Sequence, residues 1–429
     1  MRIKPLKTVR LEHYKRTADC PTVVMPTPKK VVLPMLQHLG RSCTPTVTVG
    51  QTVKRGELIG DSSEFLTAPI HASISGKVTE ITELLTSSGT YTPAVVITAS
   101  EEQETVPCEP LPCGTLAELI QSTRKLGMVG LGGAGFPTNI KLNLKNPDAV
   151  DTLLINGAEC EPFITSDYRE MIESADDLVA GIALLKPLLG VEKAIIAVEE
   201  NKPEAIRILR EKAGELFTVH QLPSNYPQGA EKVIIYHCTG RRVEEGQLPA
   251  DQGVIVMNVT SLGNLIRGLK TGLPLTHKRV TVDGDCVAKP MNVLVPIGTP
   301  IRDLLAFCGG LTGTPEKLIM GGPMMGVPMY TDDFPILKNT NAILALSNDI
   351  LRERPATQCI RCGKCIAACP FGLMPTAFAR AYEERDAAEL ARLKVGLCME
   401  CGCCAYVCPA HRPLVQSHRL SKQFLREQK

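Results

Sequence analysis

Two cysteine runs near the carboxyl end of the chain share one spacing. Each run reads C-x2-C-x2-C-x3-C-P, with Cys359, Cys362, Cys365 and Cys369 in the first and Cys398, Cys401, Cys404 and Cys408 in the second. In this pattern three close thiolates hold one cubane iron–sulfur cluster, and the fourth cysteine reaches across to the other. The runs therefore predict one [4Fe–4S] cluster on Cys359, Cys362, Cys365 and Cys408, and another on Cys398, Cys401, Cys404 and Cys369.

Other uses of cysteine explain the two runs less well. Zinc sites favour paired C-x2-C units set well apart, and disulfide scaffolds are usually short, secreted chains. Here a four-cysteine pattern is repeated with its trailing proline, Pro370 and then Pro409. Cys403 lies inside the second run, where it is either an alternative ligand or, as we expect, a bystander thiol.

Composition limits the class of protein. The 429 residues allow about three domains by length. Lysine and arginine number 47 against 45 aspartates and glutamates, so no global charge points to nucleic acid. Seventeen cysteines fit a reducing compartment. Residues 1–7 lack a signal-peptide core, and no stretch reaches the roughly 18 apolar residues of a membrane span. We expect a protein that is soluble by itself, which leaves docking on a membrane complex open.

Four successive patterns predict a multidomain α+β fold. Short β-branched runs with glycine turns at residues 20–100 resemble the barrel-sandwich fold; no Met-Lys pair marks a swinging arm there, so we expect a scaffold or docking barrel. Residues 115–255 alternate strands and helices, which predicts an α/β domain with a mostly parallel sheet. Residues 274–330 indicate a β-grasp module, and a two-cluster, ferredoxin-like helical domain follows. The predicted boundaries are 1–105, 106–260, 261–340 and 341–429.

Individual elements follow from the same patterns. In the α/β domain we expect strands at 152–156 and 194–198 and a long helix at 168–189. The apolar runs 233–237 and 253–259 complete the alternating pattern of strands and helices. A helix at 375–393 separates the two cysteine runs.

A glycine-rich loop precedes the first buried strand of the α/β domain. Gly130, Gly132, Gly133 and Gly135 let backbone N–H groups approach a phosphate closely, and Lys141 adds a positive charge. The loop is neither a Rossmann fingerprint in its usual setting nor a Walker A motif. A glycine run of this kind also serves as a plain structural turn, so the loop alone does not decide between the two.

A polar stretch follows the strand at 152–156. Asn156, Glu159 and Glu161 fall at the carboxyl end of that strand, where open α/β sheets place their ligands. The two carboxylates also have a structural interpretation: they are solvated, or they cap the following helix.

These two stretches resemble the flavin- and nicotinamide-binding site of the FMN-bearing subunit of respiratory complex I. The shared pattern is Gly-Gly-Ala-Gly-Phe136-Pro-Thr with a lysine after it, then Asn-x-x-Glu-x-Glu-Pro. Ala158 stands where that family usually has an aspartate. The segments containing Gly229, Glu231 and Asn258 resemble its later flavin loops more weakly. The β-grasp module resembles the soluble-ligand-binding domain of the same family.

The whole chain is similar, in domain order, to the C subunit of the Rnf electron-transport complex, a membrane-bound ferredoxin:NAD oxidoreductase. Two further stretches, residues 198–203 and 320–326, support this resemblance, while residues 9–16 depart from the family's usual opening. The resemblance implies a peripheral subunit on the cytoplasmic face of the cell inner membrane. Its implied partners are the membrane subunits and the ferredoxin-like subunit of the complex, with ferredoxin acting indirectly.

The resemblance also implies cofactors and roles. FMN in the α/β domain exchanges a hydride with NAD(H), and single electrons pass to or from two [4Fe–4S] clusters. The four glycines, with Phe136 in the same loop, would cradle the flavin, Lys141 would neutralise phosphate charge, and Asn156 would bind the flavin or its ribityl chain. Glu159 and Glu161 would shape the nicotinamide pocket, and no side chain need act as a nucleophile.

Two other functions remain open from the sequence. A cobalamin reductase of the microcompartment type shares these modules but places its cluster motifs in the middle of the chain. A flavin-less iron–sulfur scaffold is the other alternative, and Ala158 is the residue that favours it.

Overall fold

The computed structural model describes residues 6–86 and 89–428. Residues 1–5, part of the segment predicted to lack a signal-peptide core, lie outside the described residues. Across residues 6–86 and 89–428, no helix has the length and apolar character needed to cross a membrane.

The amino-terminal part of the chain forms a β domain of two sheets. One sheet has the strand order β2-β8-β7-β4 and the other β3-β5-β6. Its strands are β2 (Lys30–Pro34), β3 (Thr44–Pro45), β4 (Thr52–Val53), β5 (Leu58–Asp61), β6 (Ile70–His71), β7 (Gly76–Leu85) and β8 (Tyr91–Ala99). The strand before them, β1 (Val23–Val24), belongs to another sheet. Alternate residues such as Val31, Leu33, Val95 and Ile97 are fully buried, as the two-residue period of strands requires.

The next part is a parallel sheet with helices on both faces. Its strand order is β11-β10-β9-β12. The elements are α1 (Leu116–Lys125), α2 (Thr138–Leu142), β9 (Thr152–Gly157), α3 (Ser166–Glu173), α4 (Ala175–Leu188), β10 (Lys193–Glu199), α5 (Pro203–Ala213), β11 (Thr218–Leu222), α6 (Glu231–Thr239), β12 (Val254–Asn258) and α7 (Val259–Thr271). Leu153 and Ile155 of β9 pack with α4 and α7, whereas Leu154 packs with α6 on the opposite face.

A mixed six-stranded sheet forms the third part, in the order β1-β14-β13-β17-β15-β16. Its elements after β1 are β13 (His277–Asp283), β14 (Met291–Pro296), α8 (Ile301–Phe307), β15 (Lys317–Met320), β16 (Val327–Pro328) and β17 (Ala342–Leu346). The amino-terminal strand β1 pairs in parallel with β14, so the start of the chain is built into this sheet and not into the first domain's sheets.

Short helices and loops around the cysteines form the carboxyl-terminal part. These helices are α9 (Asn348–Leu351), α10 (Lys364–Ala367), α11 (Pro375–Glu383), α12 (Ala387–Arg392), α13 (Cys403–Tyr406) and α14 (Leu414–Glu427). The amphipathic helix α14 closes the unit, burying Leu414 and His418.

Some elements differ from the local sequence patterns. The helix expected at 168–189 is divided into α3 and α4 at Ser174, and the helix expected at 375–393 is divided into α11 and α12, with Arg385 left-handed (φ 54°). The run 233–237 lies in helix α6. Helix α7 crosses residue 260, and β17 lies beyond residue 340. The domain boundaries predicted at residues 260 and 340 stay predictions.

Candidate functional site

The glycine loop between α1 and α2 is held by three parts of the fold. The Leu131 N–H donates to Ser261 Oγ of α7 at 2.9 Å. The Leu39 N–H, from the amino-terminal β domain, donates to the Gly135 carbonyl at 3.0 Å. Asn339 Nδ2, just before β17, donates to the Gly133 carbonyl at 2.9 Å. The loop therefore has a fixed conformation where three domains meet.

The same loop has the features of an anion cradle. A Cβ on Gly132 would lie 2.6 Å from Asn258 Nδ2, so only glycine allows this close approach, while the position of a Cβ on Gly133 meets open space. Within the described residues, no hydrogen bond engages the N–H groups of Gly132, Gly133 or Gly135. Free N–H groups on an exposed glycine loop suit a phosphate, and this fits the predicted FMN.

Two asparagines lie side by side at the carboxyl edge of the sheet. Asn156 of β9 pairs in register with Asn258 of β12. Asn156 Nδ2 donates to the Gly229 carbonyl at 2.9 Å, and its Oδ1 accepts from the Ala158 N–H at 3.0 Å. Asn258 Nδ2 donates to Asp167 Oδ2 at 2.6 Å. Both amides are oriented by the protein beside the glycine loop.

Lys141 and Glu231 meet at this edge. Lys141 Nζ lies 3.2 Å from Glu231 Oε1 and donates to the Val256 carbonyl of β12 at 2.9 Å. Both side chains keep exposure, 31% and 44%, so the ammonium is held near the sheet while still accessible to a phosphate. A Cβ on Gly229 would lie 2.5 Å from the Ala158 carbonyl, which explains glycine there.

Glu159 caps a helix. Its Oε1 accepts from the Asp167 N–H at 2.7 Å, and its Oε2 accepts from the Tyr168 N–H at 3.3 Å. These donors belong to the first turn of α3, whose N–H groups have no partner inside the helix. Burial raises the pKa of Glu159, and neighbouring Lys15 opposes that rise. The capping role expected as the alternative for this carboxylate is present in the structure.

Glu161 turns the other way, toward the β-grasp part. Its two carboxylate oxygens accept N–H bonds from Met324 at 3.0 Å and Met325 at 2.9 Å. Burial raises the pKa of Glu161 to about 7, although these two bonds act against the rise. Glu161 therefore fastens the loop between β15 and β16 to the carboxyl edge of the α/β sheet.

Lys15 was missed by the motif analysis. Its ammonium donates to the carbonyls of Glu159, Glu161 and Ile164 at 2.8, 2.8 and 2.5 Å. Burial lowers the pKa of Lys15, and the nearby Glu159 carboxylate opposes that effect. Tyr14 stacks on Phe163 with ring centroids 4.8 Å apart. The amino-terminal segment thus braces the loop that carries both glutamates.

A buried ion pair lies beside the same loop. Lys202 Nζ is 2.8 Å from Glu199 Oε2, and both side chains are almost fully buried. Burial works against the charge on Lys202, but Glu199 and Glu159 outweigh it and raise its pKa. Residues 198–203 carried the family resemblance, but nothing local in their sequence indicated a contact with the loop at Glu159.

Cysteines of the two runs come together in space. One cavity is lined by Cys369, Cys398, Cys401 and Cys404, together with Cys403 and apolar side chains such as Phe378. Cys408 also lies near Cys365: burial raises the pKa of Cys365, and Cys408 and Cys359 raise it further. This exchange of the fourth cysteine between runs accords with the crossed cluster assignment, which stays a prediction, and four thiols around one cavity suit a cubane cluster.

Cys403 is buried and bonds within the second run. Its thiol donates to Cys401, which lowers the pKa of Cys401 and raises that of Cys403. That Cys403 is a bystander thiol and not an alternative ligand stays a prediction.

The second run touches the α/β and β-grasp parts directly. Tyr226, on the loop before α6, donates its hydroxyl to the Cys401 carbonyl at 2.7 Å. A Cβ on Gly402 would lie 2.9 Å from the Met324 carbonyl. The first run differs, since Cys359 and Cys362 are exposed. The cavity of the second run therefore lies beside the loop that carries Tyr226, and the first two cysteines of the first run lie at the surface.

Comparison with known families agrees with each part of this architecture. The matching family models are the RnfC barrel sandwich hybrid domain at residues 6–102, the Nuo51 FMN-binding domain at 123–267, the SLBB domain at 279–328 and the 4Fe-4S dicluster domain at 352–409. The predicted fold class is confirmed, and so are FMN and iron–sulfur clusters as the cofactors of these domain families.

Curated relatives match along most of the chain. The C subunit of the proton-translocating ferredoxin:NAD(+) oxidoreductase complex of Clostridium ljungdahlii is 40% identical over 85% of this chain and 81% of its own length. The C subunit of the Na(+)-translocating complex of Acetobacterium woodii is 40% identical over 86% and 85%. The chain belongs to the family of Rnf C subunits. In Rhodobacter capsulatus, the C subunit of the ion-translocating oxidoreductase complex is 37% identical over 97% and 82%.

Membership of the Rnf family confirms the resemblance and the predicted oxidoreductase class, and it decides against a cobalamin reductase. Among solved structures, an NAD+-reducing [NiFe]-hydrogenase chain aligns with a TM-score of 0.50 and 19% identity, covering 73% of this chain and 61% of that chain. That likeness concerns the fold alone.

Proposed function

We propose that this chain is the peripheral NADH-linked electron-transfer subunit of a membrane-bound ferredoxin:NAD oxidoreductase. It lies on the cytoplasmic face of the inner membrane, against the membrane subunits and the ferredoxin-like subunit of the complex, which exchanges electrons with ferredoxin. The partner subunits couple the electron transfer to ion translocation. The names of the relatives, which include proton- and Na(+)-translocating complexes, support this proposal.

The α/β domain is the proposed site of FMN and NAD(H). When bound, FMN exchanges two electrons with nicotinamide and single electrons with iron–sulfur clusters. Gly132 and Gly133 offer backbone N–H groups to the phosphate, and Lys141 supplies positive charge. Asn156 is the proposed partner of the flavin or its ribityl chain. The proposed flavin-side residues thus come from the glycine loop, from α2 and from the carboxyl end of β9.

Glu159 and Glu161 act by holding the nicotinamide pocket in shape. One caps α3 and the other binds the loop at Met324 and Met325, so the segment between them is fixed at both ends. A pocket that is already rigid binds its ligand without an ordering cost. This accords with a role in positioning and needs no proton transfer by either carboxylate.

The observation that carries the proposal is the contact between the two redox parts. The hydrogen bond from Tyr226 to the Cys401 carbonyl joins the flavin-side loop to the backbone of the second cysteine run. We propose that the cluster of Cys369, Cys398, Cys401 and Cys404 lies on the flavin side, and that the cluster of Cys359, Cys362, Cys365 and Cys408 lies on the side of the partner.

Gly133→Ala tests where the flavin binds. The new methyl group meets no protein atom within 4 Å, so the variant should fold like the wild type. If the FMN phosphate lies over this loop, the methyl group takes its space, and the dissociation constant for FMN should rise about tenfold or more, equivalent to about 1.4 kcal/mol.

The control for this experiment is Gly313→Ala, where a Cβ also meets open space in an exposed turn before β15. Flavin fluorescence titration should give the wild-type dissociation constant for this variant. Equal FMN affinity in all three proteins would place the flavin elsewhere, and a wild-type protein that binds no FMN would favour the flavin-less scaffold.

A further inference from the structure

Two carbonyl groups of the glycine loop are held by segments outside the α/β part of the chain. Asn339 Nδ2, in the segment before β17, donates to the Gly133 carbonyl at 2.9 Å. The Leu39 N–H, from the amino-terminal β domain, donates to the Gly135 carbonyl at 3.0 Å. Each bond fixes one peptide plane of the loop, because a peptide unit is planar and rigid.

A held carbonyl also fixes the N–H group of the same peptide unit. The peptide bonds after Gly133 and Gly135 are trans, so each N–H points opposite to its carbonyl. The N–H groups of Ala134 and Phe136 therefore point away from the two donors. Neither N–H has a hydrogen-bond partner among residues 6–86 and 89–428. A free N–H of fixed direction suits an anion, since binding then requires no reordering of the loop.

Asn339 has a fixed starting point, because its neighbour Lys338 is anchored at three places. The Lys338 ammonium donates to the Pro69 carbonyl at 2.6 Å and to the Gly127 carbonyl at 2.8 Å. The Lys338 N–H donates to Gln37 Oε1 at 3.1 Å. The side chain of Asn339 thus extends from an immobilised backbone to the glycine loop.

We propose that Asn339 is a positioning residue for the phosphate of FMN. By holding the Gly133 carbonyl it sets the direction of the Ala134 N–H, which joins Gly132 and Gly133 as a donor to the phosphate. Asn339 acts through this one peptide unit and makes no contact with the phosphate itself. The inference rests on the proposed function, because it takes the FMN phosphate to lie over the glycine loop.

Asn339→Ala removes the donor and leaves the loop sequence unchanged. Asn339 is half-buried and borders a cavity, so the variant should fold like the wild type. The freed peptide unit can turn, and the dissociation constant for FMN should rise about threefold to tenfold, as for the loss of one hydrogen bond. Riboflavin lacks the phosphate, so its dissociation constant should stay at the wild-type value. Fluorescence titration of the iron-loaded, flavin-free full chain measures both constants.

Asn339→Asp is a second variant with nearly the shape of the wild-type side chain. Its carboxylate cannot donate to the Gly133 carbonyl, and its charge repels a phosphate, so FMN affinity should fall at least as far as in Asn339→Ala. The matched control is Asn264→Ala, because Asn264 Nδ2 also donates to a backbone carbonyl, that of Thr260, at 2.8 Å. This control loses the same kind of bond within α7 and should keep both wild-type dissociation constants.

Three results would overturn the positioning role. One is wild-type affinity for FMN in both Asn339 variants. Another is an equal loss of affinity for FMN and riboflavin, which would give Asn339 a general structural role. The third is a raised KM for NADH with unchanged FMN affinity, which would assign the N–H groups of the loop to the phosphates of the dinucleotide.

Inorganic phosphate separates this inference from the proposed function. A wild-type protein that binds no FMN would refute the proposed function, and phosphorus-31 nuclear magnetic resonance would then follow the binding of inorganic phosphate to the flavin-free chain. Weaker phosphate binding in Asn339→Ala than in Asn264→Ala would support the role of Asn339. Equal phosphate binding in these two variants, or none in the wild type, would contradict it.

Discussion

At the residue scale, Glu159 and Glu161 are two positions apart but serve different elements. Glu159 satisfies two N–H groups at the start of α3, and Glu161 satisfies two at Met324 and Met325. Lys15 binds the carbonyls of the backbone between and beyond them. The carboxylates and the lysine together fix one short loop, since a buried polar backbone group is costly when left without a partner.

Lys15→Met should loosen that loop. Methionine keeps most of the apolar stem but removes the donor from three carbonyl groups, so we expect a loss of about 2–3 kcal/mol in the free energy of unfolding. The KM for NADH should also rise several-fold, with iron and FMN content unchanged. Denaturant titration and steady-state kinetics measure the two effects.

Lys29→Met is the control for this prediction, because Lys29 is exposed and its side chain makes no hydrogen bond or ion pair in the described residues. It should change stability by less than about 0.5 kcal/mol. If Lys15→Met loses stability while the KM for NADH stays at its wild-type value, Lys15 has a structural role alone.

Residues that belong to a motif can be nominated from the sequence, and those that act on the motif from a distance cannot. The glycines, Asn156 and the eight cysteines follow from spacing and from their position at a strand end. Lys15, Lys202 and Asn339 reach the same site from segments far away in the chain, and no local pattern marks a single lysine or asparagine as such a contact.

At the element scale, the boundaries were harder to predict than the elements. The run 233–237 is rich in β-branched residues, yet it forms α6, which begins at Glu231 and ends before a left-handed Gly240. Tertiary packing decides here, because Ile234 and Ile235 cover one face of the parallel sheet. The break between α11 and α12 has a local cause, since Asp386 caps the second helix by accepting from the Glu389 N–H.

The two cysteine runs are predicted to exchange their fourth ligands, and Cys408→Ala tests this crossed pairing. In the crossed assignment Cys408 completes the cluster of Cys359, Cys362 and Cys365, so about half of the iron should be lost. The cluster that remains should be the one beside Cys369. Iron analysis and electron paramagnetic resonance of the reduced protein measure both effects.

Cys403→Ala provides the matched control, because Cys403 is a cysteine of the second run that donates to Cys401 and is no predicted ligand. It should keep both clusters and alter only the spectrum of the second. Loss of the cluster at Cys398, Cys401 and Cys404 in Cys408→Ala would contradict the crossed pairing.

At the scale of the whole molecule, three domains meet beside the glycine loop. Lys338 illustrates this junction: its ammonium donates to the Pro69 carbonyl at 2.6 Å and to the Gly127 carbonyl at 2.8 Å. Burial lowers the pKa of Lys338 to about 7. The order of the domains followed from the sequence, whereas their contacts did not, because a pattern along the chain carries no information about which surfaces meet.

The proposed function places two-electron chemistry at the α/β sheet and one-electron transfer at the cysteines, on the two sides of the contact between Tyr226 and Cys401. NADH titration of the iron- and FMN-loaded protein under anaerobic conditions tests this claim most directly, with flavin absorbance and cluster paramagnetic resonance followed together. We expect NADH to bleach the flavin and the signal of a reduced [4Fe–4S] cluster to appear, first from the set of Cys369, Cys398, Cys401 and Cys404. A flavin that NADH does not bleach, or one that bleaches while both clusters stay oxidised in the presence of excess NADH, would contradict the account.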